Sequence, residues 1–508
     1  MVAAGILASR LTGLVRTIFV SYYFDIRAPE ADAFWAAFRI PNLLQNLFGQ
    51  GALSASFIPV HAALHAQGHE REAAQMARTS FALLMIVVSV LVLAGVLATP
   101  LLVDVVAAGF HGEKRELTIR LVRILFPGAG LLVAAAWCLG VLNSHGKFLL
   151  SYASGVAWNG AMIATLLLFG GSGLERLVVY LAWGSVVGSL LQFAVQAPQA
   201  FALTTGGGSV GLSDPVRQAI RDFLPVLVSR GAVQFSSYID GLIASFLPLG
   251  AVAALANVQL IYTLPVNLFG GSVAAAELPA LSIDAAREAT AVLRQRIDAA
   301  LARLAFFAVP SAIAFAALGD MIASVLLQHG RFSHADSLLV WGILVGAAVG
   351  LLAATQARLY SVAHYAIKDT RTPLRFALVR LTVVTGLGYY CAIVLPRTLG
   401  VPGIWGAAGL TASAGVAGWL EFVLLRRSMH RKIGRTGVPA SIVARLWASG
   451  LIAAAAGWGA KTLMPIHQSA VRGLIALSVY GACYVALTIA LHVPGVRSVI
   501  HSIRRRSV

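Results

Sequence analysis

Apolar residues fill the chain in blocks long enough to cross a bilayer, with short polar stretches between them. Crossing takes about 20 residues at 1.5 Å of rise per residue, and fourteen blocks reach that length, from 2–24 at one end to 473–493 at the other. The second block, 31–63, departs from the pattern because it carries Asp32, Arg39, Pro41, Asn42, Gln45, Asn46 and Gln50. On an ideal helix, Asp32, Arg39, Asn46 and Gln50 fall within about 40° of one face. The spacing predicts a polar stripe, and Pro41 predicts an interruption of the helix that frees a carbonyl. Other costly charges stand in blocks 1, 7 and 8: Arg10 and Arg16, Arg230 and Asp240, and Glu277. Each costs about 2.5–3.5 kcal/mol at a helix centre, so the pattern points to a water-filled cavity for a negatively charged ligand.

Repetition organises these blocks. "ASFIPVHAAL" recurs as "AAELPALSIDAA", "AAGF" as "HGRF", and "NSHGKFLLSY" as "YAIKDTRTPL". Pro59 to Pro279 is 220 residues, Phe110 to Phe332 is 222 and Lys147 to Lys368 is 221. A near-constant offset pairs block 1 with 7, 2 with 8, and so on to 6 with 12. The fold class is therefore an all-α polytopic membrane protein with two pseudo-symmetric six-helix lobes, 1–205 and 215–428. A final helix pair and a basic tail occupy 436–508. Two such lobes are the plan of an alternating-access transporter. The same offset places Arg230 near the repeat position of Ser9 and Arg10, so it is expected to supply the second lobe's positive charge.

Composition agrees: 58% of residues are hydrophobic, 11% are charged and the mean hydropathy is +0.82, against about 25% charged in soluble proteins. The net charge of +18 reads first as topology. Loops on the N-terminal side of the membrane hold twenty Lys and Arg against eight on the other, which predicts cytoplasmic termini. No extramembrane basic domain exists to read a nucleic acid. Cys138, Cys391 and Cys483 fall inside blocks and read as packing residues, and Arg10 and Arg16 argue against a removable signal peptide. His61 and His65 stand at i, i+4 without an evident third ligand, so no metal site is expected. "TTGGGSVG" (204–211) lacks the lysine of a nucleotide-binding loop and reads as a linker. Without a nucleophile–base pair or an acidic metal motif beside the charged blocks, an enzyme is not expected.

"SRLTGLVR", "ADAFWAAFRIPNLL" and "GALSASFIPV" resemble the start of the MurJ (MviN) lipid II flippases, in the superfamily of multidrug and polysaccharide exporters. "LPVNLFG…LPALS" (264–282), "HGRFS" (329–333) and "DTRTP" (369–373) extend the resemblance in order. It implies fourteen helices around a cationic cavity, a groove from the last two helices for a polyprenyl tail, and flipping of lipid II between inner-membrane leaflets. It also implies the peptidoglycan synthesis machinery as a partner, and no cofactor, with coupling to the membrane potential or a cation. Ser9, Arg10, Arg16 and Asp32 match family positions; with Arg39 and Arg230 the first three form the expected substrate site. Asp32, Asp240 and Glu277 are the expected gating or coupling residues. Thr17, Gln45, Gln50 and Leu260 stand where the family commonly carries charge. An exporter of another polyprenyl-linked glycan or amphiphile, or a non-transporting scaffold, remains the alternative.

Overall fold

The computed structural model describes residues 2–206, 211, 213–287, 289–463 and 468–493. The side chains of residues 2–7, 50–52, 54–55, 151–152, 222, 224–226, 228–237, 272 and 275–276 lie outside this description. Residues 207–210 of the linker predicted at 204–211 also fall outside it.

Described residues form helices throughout. They are α1 (Val2–Tyr23), α2 (Pro29–Phe48), α3 (Gln50–Ala66), α4 (Glu70–Leu97), α5 (Thr99–Val106), α6 (Gly112–Ser144), α7 (Phe148–Phe169), α8 (Leu174–Ala202) and α9 (Asp214–Ser245). There follow α10 (Ala251–Pro265), α11 (Ser272–Ala286), α12 (Thr290–Leu327), α13 (His334–Ala366), α14 (Arg371–Tyr389), α15 (Leu395–Leu399), α16 (Gly406–Ile433), α17 (Ala440–Leu463) and α18 (Ser469–Ala490). Among the described residues, eleven helical segments are long and apolar enough to cross a membrane, which is compatible with the fourteen predicted spans. The predicted spans 2–24, 31–63 and 219–247 are not among the eleven. All three contain charges singled out above.

Several predicted spans are broken helices, and the breaks follow the repeat. The span 31–63 divides at Gly49, where an added Cβ would lie 2.2 Å from the Gln45 carbonyl oxygen. Pro41 does not interrupt α2, which continues to Phe48; this corrects the expectation from the sequence. In the repeat-related span a π-helical stretch, Val266–Gly271, separates α10 from α11. The next span breaks at Ala98, before Pro100, and its counterpart α12 is kinked at Leu318. Gly49 to Gly270 and Ala98 to Leu318 keep the offset near 220. An interruption survives in a bilayer where protein or a cavity satisfies the freed backbone groups, so the repeat preserves irregular backbone as well as helix order.

The chain divides into two compact units at Ala253/Ala254. In the first, α6 is the central helix, with α2, α3, α4 and α8 packed against it. Its stretch Leu132–Leu142 is apolar on every side, as a helix surrounded by protein should be, and every residue of that stretch lies buried. Trp137 fills the middle and donates its indole N–H to the Ala77 carbonyl at 3.2 Å. In the second unit the repeat-related α13 is central, contacting α11, α12 and α16. Gly346 and Gly350 let α16 approach: a Cβ on Gly350 would lie 2.5 Å from Gly415 Cα. The helix α9, expected from the repeat to begin the lobe 215–428, falls in the first unit, where it packs on α2, α3, α4 and α5. Phe223 reaches Phe48 with ring centroids 5.8 Å apart, and Val216 and Ala219 join the core around Trp137. Apolar burial along α9 thus sets the compact boundary after the helix, while the sequence repeat begins before it.

Candidate functional site

In α1, Ser9 and Arg16 face α7 while Arg10 is exposed. Ser9 packs where α7 has glycine: a Cβ on Gly155 would lie 2.5 Å from Ser9 Oγ. Asn159 Nδ2 lies 3.4 Å from both the Ser9 carbonyl and Thr12 Oγ1. Ser9 is therefore held in the α1–α7 contact. Arg16 is half-buried, with its guanidinium carbon 4.7 Å from the Trp158 ring centroid and Nη1 4.0 Å from Met162 Sδ. Trp158 is itself fixed by its N–H to the Ser185 carbonyl at 3.2 Å. No carboxylate pairs with Arg16 among the described residues, and its Nε has no hydrogen-bond partner there. A guanidinium in that setting, with unused donors, is suited to a phosphate-like anion.

The stripe on α2 holds at its first half. Asp32 is buried and bonded at every turn: Lys114 Nζ at 2.8 Å, and the backbone N–H groups of Gly250 and Ala253 at 3.0 and 2.9 Å. Those amides open α10, so Asp32 caps a helix distant in sequence while pairing with α6. Arg39 is half-buried, and an added Cβ on Gly241 would lie 1.8 Å from its Nη1. Tyr238 O–H donates to the Arg39 carbonyl at 2.8 Å, and the charge of Asp240 acts on the Arg39 guanidinium. Arg39 and Asp240 are thus neighbours across α2 and α9. Asn46 is exposed, and the Gln50 side chain lies outside the described residues. So does that of Arg230, whose backbone is in α9.

In the second unit, Glu277 is buried and paired with Arg303, and Arg296 Nη1 stands 4.0 Å away. Arg296 also pairs with Asp284 at 2.6 Å. Glu277, Arg296 and Arg303, together with Val292, Gln295 and Ala299, line an open groove of about 470 Å³. Arg380 on α14 reaches Glu421 on α16 at 3.3 Å. The last two helices pack on α12, where Tyr480 and Tyr484 donate to the Pro310 and Phe306 carbonyls at 2.6 and 2.7 Å, and Lys461 pairs with Asp320. Sequence reasoning misses Lys114, Arg303 and Glu421 as partners. In the sequence Lys114 reads only as a loop charge, and nothing local ties it to Asp32, 82 positions earlier.

A sequence model described as "Lipid II flippase MurJ" matches residues 21–478. The chain belongs to the MurJ family. A "Probable lipid II flippase MurJ" of Bdellovibrio bacteriovorus is 33% identical over 84% of this chain and 80% of its own length. Another of Rhizobium meliloti is 29% identical over 100% of this chain and 95% of its own. Among solved structures, "Lipid II flippase MurJ, inward closed conformation" superposes with a TM-score of 0.76 at 21% identity, covering 96% of this chain and 99% of that one. An inward-facing multidrug resistance MATE family transporter has a TM-score of 0.67 at 19% identity, over 83% and 95%; these two likenesses establish the fold. A MurJ-family chain with eleven apolar helices of membrane-crossing length among its described residues is a multi-pass membrane protein of the transporter class, not an enzyme.

Proposed function

We propose that this chain translocates lipid II from the inner to the outer leaflet of the bacterial inner membrane by alternating access. The observation that carries the reading is the family match along residues 21–478. In this reading Arg10 and Arg16 neutralise the pyrophosphate, each offering several N–H donors to its oxygens. Ser9 holds α1 against α7 so that Arg16 stays on its Trp158 shelf. Arg39 and Arg230 extend the positive site, Asp240 restrains Arg39, and Asp32 and Glu277 act as latches through Lys114 and Arg303. The six-helix repeats 1–205 and 215–428 are the alternating lobes, and α17 and α18 receive the polyprenyl tail. Both termini face the cytoplasm, as the excess of Lys and Arg on that side argues. The membrane potential or a cation gradient drives the cycle, and the peptidoglycan synthesis machinery consumes the product outside. Gln45, Gln50 and Leu260 favour one second reading, export of a polyprenyl-linked glycan with a different headgroup.

Reconstitution into proteoliposomes with labelled lipid II, scored by accessibility of the headgroup from each side, tests the proposal. Flipping that depends on an imposed potential or cation gradient is expected. Flipping only of another polyprenyl-linked glycan establishes the second reading, and no flipping under any gradient refutes both.

A further inference from the structure

Three donor side chains distant from the α1 site converge where α3 ends, α4 begins and α6 ends. His65 in the last turn of α3, Glu70 at the start of α4 and His145 just after α6 each bring one ligand-type atom within 4.8 Å of the other two. The chain turns between the first two at Gly68, whose φ of +77° suits glycine. Sequence spacing suggests only the pair His61 and His65; the third ligand comes from 80 residues further on, and only the fold supplies it.

We propose that His65, Glu70 and His145 form a divalent-cation site of the zinc type that fastens the α3–α4 turn to the end of α6. Two nitrogens and one carboxylate oxygen suit Zn²⁺, which takes such ligands at about 2.0–2.2 Å in tetrahedral geometry. Calcium and magnesium prefer oxygen alone. The His145 ring is already oriented as a ligand. Its Nδ1 lies 2.9 Å from the Val141 carbonyl, which only accepts, so Nδ1 carries the proton and Nε2 keeps its lone pair. His65 Nδ1 lies 2.7 Å from Glu70 Oε1 yet has no partner in hydrogen-bond geometry. Without a metal the two make an ion pair when His65 is protonated. The two atoms need to open by about half an ångström to reach the roughly 3.3 Å separation of tetrahedral ligands around one ion. Behind them His61 is buried, stacked on Phe57 at 5.0 Å and tilted against His145 at 5.4 Å. Its Nδ1 is also without a hydrogen-bond partner. Glu70 and His65 are open enough to solvent to admit the ion, and the fourth position is left for water.

The test uses the full-length protein in nanodiscs, purified without a histidine tag. Zn²⁺ stoichiometry is measured by elemental mass spectrometry, affinity by competition with a chromogenic chelator, and geometry by the visible bands of Co²⁺. One ion per chain with tetrahedral Co²⁺ bands is expected, together with a Zn²⁺-dependent rise in the unfolding temperature. His65→Ala and His145→Ala should each weaken binding at least tenfold and abolish both effects. Glu70→Gln keeps the side-chain shape and should weaken binding as well, which covers the case of a histidine variant that fails to fold. His69→Ala, outside the donor set, should bind as the parent does. The proposal is overturned if the parent protein retains no Zn²⁺, or if Glu70→Gln and the folded histidine variants bind it as tightly as the parent.

Discussion

Removing the Asp32 carboxylate should cost more stability than any other single change on α2. Asp32 is 1% exposed, accepts two helix-opening N–H groups and pairs with Lys114 at 2.8 Å. In Asp32→Ala, Lys114 loses its counter-charge while only 14% exposed, a loss of about 3–5 kcal/mol for a buried pair. The two orphaned amides add about 1–3 kcal/mol each if no water replaces the oxygen. These contributions share one group and do not add, so about 3–5 kcal/mol is the expected total. At roughly 2 °C per kcal/mol for a unit of about 250 residues, the unfolding temperature in nanodiscs should fall by about 6–10 °C. Asp32→Asn keeps one acceptor and should lose about half as much. Adding Lys114→Met to Asp32→Ala should recover part of the loss, because a methionine leaves no stranded charge. An Asp32→Ala protein that unfolds within about 1 °C of the parent, or a pair of variants whose effects simply add, would refute the latch.

Gly350→Val should destabilise the second unit by about 1–3 kcal/mol, because its Cβ meets the Gly415 backbone, which cannot rotate aside; thermal unfolding measures it, and an unchanged midpoint counts against the α13–α16 contact. Partial burial of Asp369 opposes its charge, but hydrogen bonds from Lys432 and Thr372 outweigh it and hold the carboxyl below the usual carboxylate range. A depressed value means that its stabilisation is present above about pH 4 and is lost as pH falls further. Lys432→Met should therefore flatten the acid limb of a stability–pH profile, and an unaltered limb would refute the pairing. Ser144→Cys should react with an impermeant thiol reagent only from the cytoplasm and Ser172→Cys only from outside; the reverse would invert the proposed orientation. Arg16→Ala should abolish flipping while the protein remains inserted and folded, with Arg16→Lys retaining part of it.

Helices were legible because a bilayer demands uninterrupted apolar length, and the repeat was legible because both copies kept the same landmarks. What the sequence obscured were contacts between distant groups. Pro41 looked like the break in its span, yet a missing N–H inside a packed helix is tolerated, and the close approach at Gly49 decides the break instead. Arg380 stands in the apolar span 373–396, and its partner Glu421, 41 residues on, is brought beside it only by the fold. Glu277 showed its cost but not its partner, since Arg303 lies beyond a turn and further along α12. Charge in an apolar segment thus announces a site by its expense, while the identity of the compensating group depends on the tertiary fold.

That expense is met unequally, and the inequality separates structural from functional charges. Asp32 has an ion pair and two amide donors, so its burial is compensated within the first unit. Arg39 has Asp240 within electrostatic reach. Among the described residues Arg16 has an aromatic face, worth about 0.5–2 kcal/mol, and a weak thioether contact to Met162, against about 2.5–3.5 kcal/mol for a charge at a helix centre. The shortfall of roughly 0.5–3 kcal/mol from these two ranges leaves the ligand-free protein slightly better off without the guanidinium. Stability and transport should then move in opposite directions at Arg16: Arg16→Met unfolds no earlier than the parent and flips nothing. At Asp32 they should fall together. If Arg16→Met instead unfolds several degrees earlier, the guanidinium is a packing element of the α1–α7 contact, and the pyrophosphate must find its positive charge elsewhere.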